Sequence, residues 1–278
     1  MFFDSFRLDH VLGFYRIYAF PRSPSRNDEF AGLTHEQTAM ANAGRLPRWV
    51  DRPDDTLENK AVNRADGDPR LRAIVAAAGN AEIIAEDLGW VPEYVRPHLA
   101  DLGISGFRIP HWDCNDEGHP TPGKFFSENS FATYSTHDHD PVNGIWRGCL
   151  HVIRQHQESP TEQTGWWVHG ARSGLRILSE FAEIPVPLDD VWPPYTEGIR
   201  LRLIKALFSS NSRYATLMVT EVFDLDERIN HPGTSGEQNW RFRLPWTLAD
   251  IEATPALKAA CQHLSNLISI TRRAPAWE

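Results

Sequence analysis

The sequence predicts an α/β fold built on a parallel, barrel-type sheet, and three observations carry that expectation. β-prone runs alternate with helical segments along the 278 residues, which is the pattern of βαβ units rather than of separate helical and sheet blocks. Three stretches, Phe6-Arg7-Leu8-Asp9, Ile83-Ile84-Ala85-Glu86 and Tyr134-Ser135-Thr136-His137-Asp138, each run from β-prone or apolar residues to a carboxylate. Acids delivered at the C-terminal ends of parallel strands are how a barrel assembles a site. Finally, 41% hydrophobic and 23% charged residues describe an ordinary globular chain, long enough to bury a sizeable core.

In chain order, residues 2–8 read as a strand with Phe2, Phe3, Phe6 and Leu8 apolar and Asp9 ending it. Val11 to Phe20 is aromatic-rich and reads either as a helix or as a wall of the site. Pro21 to about Asp68 is loop-rich, an excursion of a length that usually serves function. Within it Thr34 marks a helix start. Asp68-Pro69 reads as N-cap and first residue of a helix stopped by Gly79. A strand over Glu82–Glu86, a helix after Val91-Pro92 ended by Gly103, and a strand over Ile104–Ile109 follow. After a loop at 110–130 come a strand over Phe131–Ser135 and helices at 141–157, 173–184 and 195–210. A strand over Thr216–Thr220 closes on Glu221, and a helix over Pro255–Thr271 ends the pattern. No composition break divides the chain, so one domain over 1–278 with an inserted loop region at about 21–67 is expected.

A net charge of −9 argues against nucleic acid as the main partner. No apolar run reaches the roughly 18 residues of a membrane helix, and Met1 to Phe6 lacks the basic start of a signal peptide. Cys114, Cys149 and Cys261 are odd in number and far apart, with neither metal spacing nor a disulfide framework. A cytoplasmic protein is the simplest expectation. Ten Trp stand out; most serve a core, but their flat faces also stack on sugars.

Asp9 alone could be a solvated acid at a strand end. Arg7, two residues earlier, shares its face of the strand and would hold it ionised, as a nucleophilic carboxylate requires. Glu86 follows an apolar run, and burial would raise its pKa toward that of a general acid. Asp87 points to the other face and reads as a cap on the Leu88-Gly89 turn. Asp138 lies among His137, His139 and Asp140, which suggests a metal, yet adjacent residues cannot all face one ion; a substrate ligand is the reading kept. Glu221 is a further candidate for the mouth. No phosphate loop, Gly-x-Ser-x-Gly elbow or paired-Cys motif appears.

Taken together these residues resemble the 4-alpha-glucanotransferases (amylomaltases, disproportionating enzymes), relatives of the alpha-amylases. The family's Arg-Ile-Asp-His motif stands here as Arg7-Leu8-Asp9-His10, and its Ala-Glu-Asp-Leu-Gly motif is intact at 85–89. Pro92-Glu93-Tyr94-Val95-Arg96 and Glu128-Asn129-Ser130 with Thr136-His137-Asp138 also match. So does Asn230-His231-Pro232-Gly233-Thr234 with Asn239-Trp240-Arg241. The resemblance implies a TIM (β/α)8-type barrel and transfer of α-1,4-glucan segments without metal or cofactor. It implies Asp9 as nucleophile, Glu86 as acid/base and Asp138 as transition-state stabiliser, with Arg7 and His137 holding the sugar. Trp112, Phe14 and Tyr15 are candidates for sugar stacking, with core packing the alternative for each. Family members carry about half their length ahead of the nucleophile motif, so about strands four to eight of the barrel are expected here. A missing N-terminal half, or self-association, would then cover the open edge. A non-catalytic glucan-binding module or an inactive fragment is the competing reading.

Overall fold

The computed structural model describes residues 3–234 and 236–273. They form two compact units, divided between Phe107 and Arg108.

The first unit starts with β1 (Ser5–Leu8); Phe2, expected in this strand, lies outside the described residues. A 3-10 turn over Val11–Phe14 buries Val11 and Leu12, and the chain then forms β2 (Ile17–Ala19). Helix α1 (His35–Ala41) begins where Thr34 caps it, its hydroxyl accepting from Gln37 N–H while the Gln37 side chain returns to Thr34 N–H. β3 (Arg48–Val50) pairs antiparallel with β2, making a small ribbon that three-residue strands conceal in the sequence.

Helix α2 (Leu57–Ala78) begins eleven residues before the expected Asp68-Pro69 start and passes through it. Its first half has no apolar stripe, because what it buries is polar or small. Asn63 bonds Arg52 and Asp54 at 2.9 Å each, and Gly67 lies under the Tyr15 ring. Asp68 does not cap; it accepts from Arg72 Nε at 2.7 Å and meets His98 Nε2 at 2.8 Å. Gly79, at φ +62°, ends the helix as expected. β4 (Glu82–Ala85), α3 (Val95–Asp101) and β5 (Ser105–Arg108) complete the βαβ pattern. β1 and β4 are parallel, as are β4 and β5. Val11, Leu71, Ala85, Val95, Leu99 and Ile104 fill the core between them and the helices. For all its apolar residues β1 is not a buried strand: Phe6 is 42% exposed and, among the described residues, this strand pairs with β4 alone.

In the second unit, β6 (Ser130–Ala132) is followed by α4 (Val142–Glu158), α5 (Glu162–Phe181) and α6 (Glu197–Phe208). α5 begins at the Thr161 cap, eleven residues ahead of the expected start. Trp146, Leu175, Leu178, Leu203 and Leu207 form the centre of this core, with the Trp146 indole N–H donating to Pro193 O at 3.1 Å. β7 (Tyr214–Ala215) pairs parallel with β6. The strand expected over Thr216–Thr220 is absent: the chain turns into α7 (Val219–Phe223). Two further helices, α8 (Leu248–Ala253) and α9 (Pro255–Ile270), close the chain, and α8 went unpredicted. Among the described residues no helix is long and apolar enough to cross a membrane.

Candidate active site

In the first unit, strand register brings two acids together. β1 and β4 pair as Arg7↔Ile84 and Leu8↔Ala85. The ladder runs on, with Glu86 N–H donating to Leu8 O at 2.8 Å and Val11 N–H to Glu86 O at 3.1 Å. Asp9 and Glu86 are therefore the residues that follow the paired C-terminal ends of neighbouring strands, whose backbones lie about 4.8 Å apart. Arg7 NH2 meets the Asp9 carboxylate at 2.7 Å, the same-face contact expected from their spacing. The Asp9 side chain is 73% exposed.

Glu86 is half-buried, not enclosed as the apolar run before it suggested. Its two oxygens accept from backbone: Oε2 from His10 N–H at 2.8 Å, Oε1 from Leu88 N–H at 3.2 Å. Glu86, rather than Asp87, thus ties the Leu88 turn. His10 itself takes the left-handed conformation, φ 44°. Asp87 is the buried acid. It accepts from Phe107 N–H at 2.5 Å and from Arg96 Nε at 3.0 Å. Gly106 passes so close that a Cβ there would stand 2.8 Å from Asp87 Oδ2. The strand alternates between one carboxylate turned to the loops and one locked into structure. Tyr15, a stacking candidate, is a core residue instead: its hydroxyl bonds His98 Nδ1 at 3.0 Å and 4% of it is exposed. Phe14 packs against the same core.

In the second unit, Asp138 stands in a turn six residues beyond the end of β6, not at a strand end. Asn230 Nδ2 donates to Asp138 Oδ1 at 2.6 Å, and His137 Nε2 lies 3.3 Å from Oδ2. Trp240 packs against the His137 ring with centroids 5.0 Å apart, and Trp112 stands edge-on to His139 at 4.7 Å. The two indoles, 60% and 49% exposed, offer free faces on residues either side of Asp138. His111, next to Trp112, has its Nδ1 shut away from solvent without a partner; burial pushes its pKa down to about 4, aided by the nearby His139. It is therefore a neutral imidazole at physiological pH.

Glu221 does not line a mouth. It is 1% exposed in α7, where Oε1 accepts from Val142 N–H at 3.1 Å and Oε2 from Met218 N–H at 2.9 Å. It satisfies the first N–H of α4 and an N–H at the start of α7. Burial pushes its pKa up to about 7, against the pull of those bonds and one from Ser135. Asn230 and Trp240 are the contributors that residue-type reasoning passed over; their signal was the Asn-x-Pro-Gly-Thr and Asn-Trp motifs. Among the described residues no three His, Cys, Asp or Glu side chains are grouped to hold a metal.

Residues 1–249 match the family of 4-alpha-glucanotransferases. The 4-alpha-glucanotransferase of Chlamydia caviae is 28% identical over 93% of this chain and 41% of its own length. The chloroplastic/amyloplastic 4-alpha-glucanotransferase of Solanum tuberosum is 27% identical over 87% of this chain and 32% of its own. Among solved structures, the amylomaltase of Corynebacterium glutamicum superposes with TM-score 0.61 at 17% identity, over 94% of this chain and 35% of that one. The amylomaltase of Streptococcus agalactiae, solved with acarbose, gives 0.56 at 22% identity, over 97% of this chain and 41% of that one. The chain thus spans between about a third and two-fifths of the length of these relatives. Its fold is the corresponding part of a TIM-type (β/α)8 barrel. By the span of that match, the chain belongs to the 4-alpha-glucanotransferase family.

Proposed function

We propose that this chain acts on α-1,4-glucans as a 4-alpha-glucanotransferase, moving a glucan segment to the 4-hydroxyl of another sugar with retention at the anomeric carbon. Asp9 is the nucleophile. It attacks the anomeric carbon as Glu86 protonates the departing glycosidic oxygen, leaving a glycosyl ester on Asp9. An acceptor hydroxyl then gives its proton to Glu86 and displaces Asp9, so each group ends as it began. Arg7, at 2.7 Å, holds the Asp9 carboxylate in place for the first step. Asp138 and His137 hold the reacting sugar ring, and Trp112 stacks on it. No cofactor enters. The enzyme works in the cytoplasm, with the rest of the barrel supplied by a further segment, a separate chain or a second copy.

One observation carries this reading: the in-register pairing of β1 with β4, which sets Asp9 and Glu86 side by side beyond adjacent strand ends. Retaining glycosidases hold their two carboxyl groups about 5–5.5 Å apart, close to the spacing of neighbouring strands; inverting enzymes need about 6.5–9.5 Å. A second reading, glucan binding without turnover, draws on the 73% exposure of the Asp9 side chain on an edge strand. A nucleophile so open to water lacks the dry surroundings that speed such chemistry.

The test is maltotriose incubated with the purified chain, alone and with the family's N-terminal barrel half added in trans, and with Asp9→Asn and Glu86→Gln beside it. Longer and shorter glucans that vanish in both variants support transfer. Binding of maltotriose by calorimetry with no products in either condition supports the second reading. Neither binding nor products would refute both.

A further inference from the structure

We infer that Arg228 is a positioning residue for Asp138, joining the turn that carries this acid to the 228–240 loop; the inference rests on the role proposed for Asp138. The Arg228 side chain, 25% exposed, spends its donors mainly on backbone. Its Nε donates to Asn230 O at 2.8 Å, and its NH2 donates to Asp138 O. The remaining nitrogen, NH1, lies 3.7 Å from Asp140 Oδ2, too long for a hydrogen bond.

One planar guanidinium therefore spans the carbonyls of two segments ninety residues apart in sequence. The bridge does not act alone. Asn230 N–H donates to His137 O at 3.0 Å, and the Asn230 amide reaches Asp138 Oδ1 at 2.6 Å. Asp138 is thus held at its carbonyl by Arg228 and at one carboxylate oxygen by Asn230, while Asn230 is held by Arg228 at its own carbonyl. With Oδ1 taken and His137 3.3 Å from Oδ2, both oxygens of the carboxylate face a partner.

A simple surface ion pair does not describe this arrangement. The Asp140 contact is the weakest of the three, and such pairs contribute little when solvated. What distinguishes Arg228 is the fixed fork, which serves two carbonyls at set angles; an ammonium is a point donor and cannot fix both equally well. Loss of the bridge frees the Asp138 backbone and, through Asn230, its side chain. Displacement of about 1 Å in such a group lowers turnover by up to about a hundredfold.

The test uses the full chain, with the N-terminal half in trans where turnover needs it, and compares wild type with Arg228→Ala and Arg228→Lys. The readouts are transfer kinetics on maltotriose, amide hydrogen exchange and the thermal midpoint. Positioning predicts kcat down about ten- to a hundredfold in Arg228→Ala with KM within about twofold, and a value between the two for Arg228→Lys. It also predicts exchange at Asn230 N–H and His139 N–H about tenfold faster or more, with amides of the α4 and α6 cores unchanged. Turnover within about twofold of wild type, or loss of rate matched by faster exchange throughout both helices, would overturn it. If wild type forms no products in any condition, the function proposed above fails by itself. Exchange then decides for Arg228: unchanged rates at Asn230 and His139 in Arg228→Ala overturn the bridge, and local acceleration supports it.

Discussion

Replacing Glu221 by Gln should reverse the sign of its effect on stability between acid and alkaline pH. Glu221 is buried and its pKa is pushed from 4.5 up to about 7. A carboxyl whose folded pKa lies above the unfolded one stabilises the fold below the unfolded pKa, and that stability is lost as pH rises through the folded value. Here the window runs from about pH 4.5 to about 7. The free-energy equivalent of that displacement is about 3 kcal/mol. Gln is neutral at every pH and keeps one carbonyl acceptor, but its NH2 must face either Val142 N–H or Met218 N–H, the two donors Glu221 now accepts. A donor set against a donor costs about 1–2 kcal/mol. The variant should therefore be about 1–2 kcal/mol less stable than wild type at pH 4.5 and about 1–2 kcal/mol more stable at pH 8.5. The crossover falls at about pH 5.5–6.5. The difference between the two proteins has to be measured, because His111 works the other way. With its pKa down near 4, His111 removes stability as pH falls from about 6.5, which masks Glu221 in the wild-type profile alone. Paired thermal or urea denaturation at pH 4.5, 6.5 and 8.5 supplies the comparison. A difference that stays within about 1 kcal/mol across that range would refute the assignment of Glu221 as a buried acid ionising near neutrality.

Two structural predictions follow from the first unit. Asp87→Ala removes the acceptor of a buried Phe107 N–H and the partner of Arg96. It should cost about 2–4 kcal/mol in urea denaturation, and a loss below about 1 kcal/mol would show that other groups hold this strand end. Gly67→Ala puts a methyl 2.6 Å from the Tyr15 ring, which its hydroxyl bond to His98 keeps from swinging away. Although Ala is the better helix residue by about 1 kcal/mol, overpacking of about 1–3 kcal/mol should leave the variant less stable by calorimetry.

The parallel strand–helix alternation was legible because β4, β5, α3, α4 and α9 announce themselves by apolar periodicity and by the Gly and Pro residues at their ends. The failures have physical causes. The first half of α2 buries Asn63 and Gly67, so its contacts are polar networks and close approach rather than an apolar stripe. The run Thr216–Thr220 is β-branched at three of its five positions, yet the carboxylate of Glu221, the next residue, accepts from Met218 N–H and Val142 N–H, and that tertiary demand for a cap overrides strand propensity. In the site, the Arg7–Asp9 contact was readable from a spacing of two. The exchange of roles between Glu86 and Asp87 was not, since both are acids at the end of one strand. What separates them is β5, whose Phe107 N–H, twenty residues further along the chain, takes Asp87 and is invisible to local pattern. The hold of Arg228 and Asn230 on Asp138 is likewise a product of distant segments, marked only by the motif that carries Asn230.

The close passage of Gly106 under Asp87 makes the strand pair a gauge. Glu86 and Asp87 are neighbours with opposite tasks, so a slip of one residue between β4 and β5 would exchange them, burying the proposed acid/base and turning the anchoring acid outward. The paired register, Ala85↔Gly106, puts the one residue without a side chain where Asp87 must lie and its neighbour's N–H where Asp87 must bond. Positions 86, 87 and 106 therefore act as one structural unit. Anyone grafting this carboxylate onto another barrel would need to carry all three, and a methyl group added at 106 would be felt as a misplaced acid one strand away.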